Sequence, residues 1–412
     1  MIDTLRTTRP RARGVRTLTL GALALLLTVP AAAQQSDPAP SPETQSSYRI
    51  PGWSFTPSLA LGATYDSNVA LIDAPADIGN TQGDTFFNIV PGGQLEFIGK
   101  YTDFSANYRG FIRRYVELDA LNSYDQRASL SVKRLFSRRL TVSARDSFAD
   151  TPTTDDTEVY GVPFRRAGSR TNTLGVASDY RFTKYTSLSS RYDQTWVEFD
   201  RPDVFLSGGW IHAVRNELSH RLSERVALGG EYAYRYATLD EGSRNFAFQD
   251  AGGVVHLSLG PHTTADLASG FALLNDRNLD ITRTGPYVRL SLTQALERVT
   301  VGANYDRQYV PSFGFGGSSN SQELRGWVQM PLRPGLYTQG SAAWRRMTPF
   351  ETNALQLDTI WIRSALGYAA ARWARVELLY TFTRQDSIVT GGEVNRHRIG
   401  VQFVISQPMR LH

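Results

Sequence analysis

The stretch RLSERVALGGEYAYRYA, residues 221–237, decides the fold. Leu222 leads into the polar turn Ser223–Glu224–Arg225, and strict alternation follows from Val226. Val226, Leu228, Tyr232, Tyr234 and Tyr236 fall on one face. Ala227, Gly229, Glu231, Ala233 and Arg235 fall on the other. A period of two residues is that of a β-strand. Near-copies recur along the chain: RLFSRRLTVSARD from Arg134, YRFTKYTSLSSRYD from Tyr180 and LSLGPHTTADLASGF from Leu257. TQALERVTVGANYD starts at Thr293, MPLRPGLYTQGSAAW at Met330 and YAAARWARVELLYTF at Tyr368. From Arg221 onward the copies lie about 37 residues apart, the length of two strands, one tight turn and one looser loop. A chain of such hairpins is a β-barrel or a β-repeat protein.

Residues 1–33 read as a secretory signal peptide. Arg6, Arg9, Arg11, Arg13 and Arg16 form a basic start, Leu18 to Val29 is a 12-residue apolar run, and Ala31–Ala32–Ala33 is a small-residue cleavage site. A membrane-spanning helix needs roughly 20 apolar residues. Residues 1–33 carry five Arg and one Asp, a net +4 of the chain's formal +5. The remainder is nearly neutral, so the basic pI of 9.3 does not indicate nucleic-acid binding. There is no cysteine, which excludes disulfides and a lipid-anchored N-terminus. Mean hydropathy is −0.31, and no helix-length apolar run follows residue 33. A large closed sheet with half its side chains apolar reconciles length with polarity.

Residues 34–52 read as a disordered Pro/Ser/Gln-rich periplasmic linker and residues 407–412 as a periplasmic tail. Between them, residues 53–406 accommodate an all-β, up-and-down antiparallel transmembrane barrel of about 18 strands. Sixteen strands is the alternative, because the pattern is weakest around the tenth to twelfth. Pro286 lies inside the twelfth and marks a bulge or a late start there. Turns after even-numbered strands are short: GKYT, FSRR, FTKY, LSER, GPHT, ALER, RPGL and AARW. Loops after odd-numbered strands are mostly longer, such as ALIDAPADIGNTQGD, TPTTDDTEVYGVPFRRAG and PSFGFGGSSN. That asymmetry is the outer-membrane pattern, with both termini periplasmic.

Projecting the polar parity inward gives an arginine-rich lumen. The residues expected to line the pore are Arg109, Arg113, Arg127, Arg145, Arg181, Arg191, Asp193, Arg215, Glu217, Glu231, Arg235, Arg289, Asp306, Arg325, Arg363, Glu377 and Arg398. Arg345 and the acids Asp125, Asp179, Asp250, Asp266 and Glu323 share that parity. Several charges stand two apart on one face: Asp125/Arg127, Asp179/Arg181, Arg191/Asp193 and Arg215/Glu217. They read either as wall-stiffening ion pairs or as a transverse field that selects charged solutes. Tyr65, Trp196, Trp210, Tyr309, Trp344 and Trp373 fall near strand ends and read as an interfacial girdle. The loop aromatics Tyr160, Phe164, Phe205, Phe313, Phe315 and Phe350 are candidates for sugar contact. Asp66, Ser67 and Asn68 read as turn formers at a strand exit. Whether a loop such as residues 150–169 folds into the pore is left open by the sequence, and an inserted loop would turn a channel into a closed barrel.

Nothing points to an enzyme. None of the six histidines has metal-ligand spacing and no G-x-S-x-G elbow occurs, so no catalytic residue, metal or cofactor is expected.

The YDSNV at residues 65–69, at the exit of the first strand, resembles the opening signature of the family called β-barrel porin 2, of proteobacterial outer-membrane proteins. The turn-strand units LSERV at 222–226 and ALERV at 295–299 are similar to its repeats, and the resemblance spans roughly residues 50–406. It implies a role beside exopolysaccharide synthesis and export and carries over no binding residue. One departure is that the chain runs past Phe403 with VISQPMRLH, where such barrels usually end on an aromatic residue read by the insertion machinery. The expectation is an outer-membrane conduit for exopolysaccharide. The alternatives are a general diffusion porin for small polar solutes and a non-conducting barrel that scaffolds a secretion complex. The expected partners are outer-membrane lipid and lipopolysaccharide, a polysaccharide cargo, periplasmic polysaccharide-export proteins and the barrel-insertion machinery, with no nucleic acid.

Overall fold

The computed structural model describes residues 51–71, 83–200, 206–239, 242–277, 280–314, 317–350, 356–387 and 392–411. The signal peptide and nearly all of the linker lie outside them. The first nine strands are β1 (Gly52–Asp66), β2 (Asp84–Ile98), β3 (Thr102–Tyr115), β4 (Ser123–Leu135), β5 (Leu140–Thr151), β6 (Ser169–Arg181), β7 (Thr186–Phe199), β8 (Gly209–Arg221) and β9 (Val226–Leu239). They are followed by β10 (Arg244–Gly260), β11 (Thr263–Asp276), β12 (Ile281–Ala295), β13 (Thr300–Ser312), β14 (Gly317–Arg333), β15 (Leu336–Pro349), β16 (Leu357–Ala371), β17 (Ala374–Ser387) and β18 (Gly392–Ser406). Each pairs antiparallel with its sequence neighbours. The sheet closes where β1 pairs with β18, from Ser58↔Ser406 to Asp66↔Arg398. The fold is a closed 18-stranded barrel, and no α-helix occurs among the described residues. Residues 407–412, read as a tail, carry a short strand β19 (Met409–Leu411) that continues the closing edge on Trp53–Phe55.

The recurring turn has a local cause. In SRRL, TKYT and SERV the first hydroxyl accepts the backbone N–H groups two and three residues on. Ser137 Oγ takes them from Arg139 and Leu140 at 3.2 and 3.1 Å. Thr183 Oγ1 does so for Tyr185 and Thr186, and Ser223 Oγ for Arg225 and Val226. A side chain that satisfies two turn donors fixes the hairpin and with it the register of the following strand.

Alternation then sorts the faces. Leu228, Tyr232, Val376, Leu378, Ile399, Val401 and Phe403 are all exposed. Such a continuous apolar belt around a barrel is stable only against lipid. At the short-turn rim, Lys100, Arg134 and Lys184 sit over the rings of Tyr101, Phe136 and Tyr185 at 4.7 to 5.3 Å. That is the girdle chemistry of a membrane interface.

Three local expectations are corrected. PSFGFGGSSN is mostly strand: β13 runs to Ser312 and β14 starts at Gly317, and Pro311, Ser312, Ser318 and Ser319 are buried. Its composition is that of a loop, but tertiary contacts inside the barrel impose strand pairing. Pro286 produces neither a bulge nor a late start, because β12 pairs with β11 without interruption from Ile281 to Gln294. The ladder to β13 is what stops, at Val288↔Arg307. Tyr309 is not in the girdle; it is buried, 6% exposed, while Tyr65 and Trp373 are half exposed as expected.

Candidate functional site

The segment 152–168, between β5 and β6, enters the lumen. Its neck is closed by Thr154, whose N–H donates to the Arg165 carbonyl at 3.0 Å and whose hydroxyl donates to the Pro163 carbonyl at 2.7 Å. At its base the hydroxyls of Thr151 and Ser169 bond at 3.0 Å. The short 3-10 turn Thr154–Asp156 then presents two carboxylates, and Glu158 supplies a third.

All three meet arginines of distant strands. Asp155 accepts from Arg396 Nη1 at 2.8 and 2.9 Å and from Arg398 at 3.2 Å. Asp156 pairs with Arg398 at 2.8 Å and lies 3.6 Å from Arg113. Glu158 pairs with Arg325 and, at 2.6 Å, with Arg363. Arg345 donates to the Glu158 carbonyl at 3.1 Å and stacks on Tyr160 at 4.6 Å. Further along, Gln385 accepts the Phe164 N–H at 2.7 Å and donates to the Val162 carbonyl at 3.2 Å. Arg166 donates to the carbonyls of Val69 and Leu121. β14, which carries Arg325, lies nine strands round an 18-stranded wall from β5, so the segment reaches the opposite side.

The electrostatics favour the charged forms of Glu158 and Asp156. Burial by itself would push the Glu158 carboxyl up, but Arg325 and Arg363 outweigh it and hold it at about 2. Burial opposes ionisation of Asp156 too, and Arg398 and Arg113 overcome it, holding that carboxyl well below the usual range. Burial pushes the Tyr160 hydroxyl up to about 12, with Glu323 adding to the shift. Removing one partner of such a buried pair costs about 3–5 kcal/mol, because the other charge is stranded.

Of the 17 pore-lining residues expected from parity, the segment gathers four: Arg113, Arg325, Arg363 and Arg398. Most of the others pair with, or stand opposite, another charge of the wall. Arg191 bonds Asp193, two residues on, at 2.7 Å. Residues two apart on a strand are separated by about 6.5–7 Å, a gap that an arginine spans, as Arg325 does to Glu323 at 2.9 Å, and cross-strand neighbours are within the same reach. Asp125 accordingly takes Arg113 at 2.7 Å. Glu217 takes His256 at 2.7 Å, and the other ring nitrogen takes Asp266 at 2.6 Å. Arg215 and Arg289 converge on Glu231, which also accepts the Tyr287 hydroxyl. Arg235 bonds Asp250 at 2.7 Å, and Glu377 bonds Arg375 at 2.8 Å and Gln402. Asp306 stands opposite Glu323 and Arg289 in the ladders. Arg109 faces Arg127, and Arg191 faces Arg215. Arg145 and Arg181 are exposed. A niche of about 280 Å³ lies beside His256, lined also by Glu217 and Arg289.

Sequence reasoning missed the centre of the site. Arg396 is 1% exposed, clamped between Asp155 and Asp66, which it meets at 3.0 Å through Nε. It shares the face of Arg398 two residues on, so alternation reaches it. The turn-former reading of Asp66, Ser67 and Asn68 gives way to specific roles. Asp66 holds Arg396, Ser67 accepts the His397 N–H at 2.8 Å, and Asn68 donates to the Asn395 carbonyl at 3.1 Å. YDSNV therefore stitches the closing seam. Among the loop aromatics, Phe164 and Phe313 are buried and Tyr160 is under Arg345, so none of the three offers a ring face to sugar. Phe350 packs edge-on to Tyr309, and Phe205 and Phe315 lie outside the described residues.

No protein-family model matches the chain, and no curated protein matches its sequence. Among solved structures, it is similar to the siderophore receptor PirA from Pseudomonas aeruginosa, with 10% identity over 87% of this chain and 80% of that one and a TM-score of 0.43. It is also similar to P. aeruginosa OpdK with vanillate, at 10% identity over 86% and 99% and a TM-score of 0.44. OccAB4 of Acinetobacter baumannii matches at 8% identity over 88% and 99%, with a TM-score of 0.43. No residue role or cargo is carried over at this level of likeness.

Proposed function

We propose that the protein is an outer-membrane channel, narrowed by segment 152–168, that passes small polar solutes with a preference for anions. The observation that carries this is the segment itself, tied to β3, β14, β16 and β18 by ion pairs inside the lumen. An 18-stranded barrel would otherwise hold a wide aqueous channel. The three loop acids are matched by arginines, so the constriction is close to charge-balanced. The anion preference comes instead from the β3–β8 wall. There Arg109 stands opposite Arg127 and Arg191 opposite Arg215; Asp193 and Glu231 answer the second pair, and the exposed Arg145 and Arg181 on the same wall keep its balance positive.

An exopolysaccharide conduit, and membership of the β-barrel porin 2 family, rest on the YDSNV motif and the repeated turns alone. A polymer would require the segment to leave the lumen and break all of its ion pairs together. The test is conductance in planar bilayers under a KCl gradient. A small, steady open level with a reversal potential on the anion side supports the proposal. No stable level would favour the scaffold reading, and cation preference would refute the role given to the arginine wall.

A further inference from the structure

Among the seams that join β1 to β18 into the barrel, that between β12 and β13 is the shortest, with eight paired positions from Val288↔Arg307 to Ala295↔Thr300. On the long-loop side of Val288 the two strands part. Ile281 to Thr284 are exposed at every position, so β12 is open on both faces there. Tyr309 to Ser312 are buried at every position, because the tip of β13 has gone inward. Its Phe313 and Gly314 N–H groups donate to the carbonyls of Tyr160 and Gly161 at 3.1 and 3.0 Å. Pro286 lacks the N–H that a wall strand would offer at this level. The same lumen segment that narrows the channel thus leaves a slot in the wall.

Side chains span the slot in place of a ladder. The Tyr309 hydroxyl lies against Gly285 so closely that a Cβ there would overlap it. Phe350 packs edge-on to Tyr309 at 4.9 Å, and Arg283 lies over Phe350 at 5.1 Å. Arg283 shares the inward face of β12 with Tyr287 and Arg289. Arg307 shares the outward face of β13 with Val301 and Tyr305, and its Nε is buried without a hydrogen-bond partner. Tyr309 stands two residues from Arg307 along β13 and lies against Gly285, two residues from Arg283 along β12. One cation therefore stands on each side of the wall, with Tyr309 between them. The lipid-facing flank is apolar: Phe271, opposite Pro286 in the ladder, is 80% exposed.

We propose that the β12–β13 seam is a lateral gate latched by Tyr309. Through it an anionic single-chain amphiphile of the outer leaflet, a long-chain carboxylate, moves its head group from Arg307 to Arg283 while its tail stays on the Phe271 side. A slot closed by rotatable side chains opens without breaking the wall's hydrogen bonds. Two cations on one path select an anionic head, and an aromatic and aliphatic flank selects an alkyl tail. This route is separate from the axial channel, and its failure would leave the conductance reading untouched.

The test is photo-crosslinking of the full-length barrel in lipid nanodiscs, with dodecanoate carrying a diazirine in its tail. Labelled peptides are mapped by mass spectrometry. Labelling is expected to concentrate at least five-fold on residues 267–286 and 303–311 over β17, and to fall five-fold or more there in Arg283→Ala/Arg307→Ala, with β17 unchanged. Unlabelled dodecanoate should compete, and dodecyltrimethylammonium and inorganic phosphate should not. The Tyr309→Ala variant should carry label onto the inward Tyr287. Even labelling around the belt, insensitivity to the double arginine substitution, or equal competition by the cationic amphiphile would overturn the proposal. Competition by inorganic phosphate alone would reduce the site to an anion site and also overturn it, as would the absence of label on Tyr287 when Tyr309 is removed.

Discussion

Glu158→Gln isolates what holds the lumen segment in place. The wild-type carboxylate is 2% exposed and is shared by Arg325 and Arg363. Glutamine keeps the volume and one acceptor oxygen but removes the charge. Arg325 retains Glu323 at 2.9 Å, whereas Arg363 loses its charged partner on the segment. Losing one side of a buried pair costs about 3–5 kcal/mol. At 1.4 kcal/mol per factor of ten, the ratio of docked to undocked segment falls by roughly two to four orders of magnitude. Single-channel recording reads this directly. The wild type should show one small level with rare larger openings. The variant should show frequent large openings at the same salt and voltage. Glu393→Gln is the internal control: its partner Arg384 is on the exposed rim, 39% against 40%, where a pair is worth about 0–1 kcal/mol. A Glu158→Gln trace indistinguishable from wild type, in a barrel shown to be folded by its heat-modifiable mobility, would refute the assignment of the segment as the constriction.

Further outcomes follow from the same structure. The Glu158 carboxyl, held at about 2, is depressed by docking. Its contribution is fully present above the usual carboxylate value of about 4.5 and is lost only as pH falls through about 2. Conductance should therefore stay small from pH 7 down to about 4, and enlargement already at pH 5 would contradict the pairing. Gly161→Ala should also loosen the segment. Gly161 has φ +69°, and a Cβ there would collide with the Ser312 side chain. The cost is of order 1–3 kcal/mol, read as more frequent openings. Leu378→Arg places a charge on the apolar outer face, where about 2–4 kcal/mol is lost at the bilayer midplane, whereas Thr173→Arg on the inner face, opposite the uncharged Ser147 and Thr195, should fold normally. Equilibrium unfolding in lipid vesicles distinguishes the two. Ser223→Ala removes an acceptor shared by two turn N–H groups and should destabilise by about 1 kcal/mol in the same assay.

Much of the wall was legible from sequence because its cause is local. A strand alternates faces at every residue, and a hydroxyl at the first position of SERV closes its own turn. Eighteen repetitions of that rule give the strand number, the lipid belt around Leu228 and Val401, and the inward parity of Arg325 and Arg398. The closing seam was half legible: YDSNV stood out, but its side chains read as turn formers until Asp66 met Arg396, 330 residues away. The pairing of the inner charges was partly legible: Arg191–Asp193 follows the spacing along one strand, whereas Asp125–Arg113 and Glu217–His256 join different strands, and which strands lie side by side at which register is not written in the spacing.

Two features belong to the tertiary structure alone. Nothing local distinguishes TPTTDDTEVYGVPF from an outer loop facing water; its acids are as soluble outside as inside. It turns inward because arginines of β3, β14, β16 and β18, from 43 to 243 residues away along the chain, converge on one level of a closed barrel and leave a positive well that three carboxylates fill. That docking draws the β13 tip after it and parts β12 from β13. The sequence determined a membrane wall by repeating a short-range rule. Whether the wall encloses an open pore, and where it opens sideways, depended on long-range charge convergence that exists only once the barrel has closed.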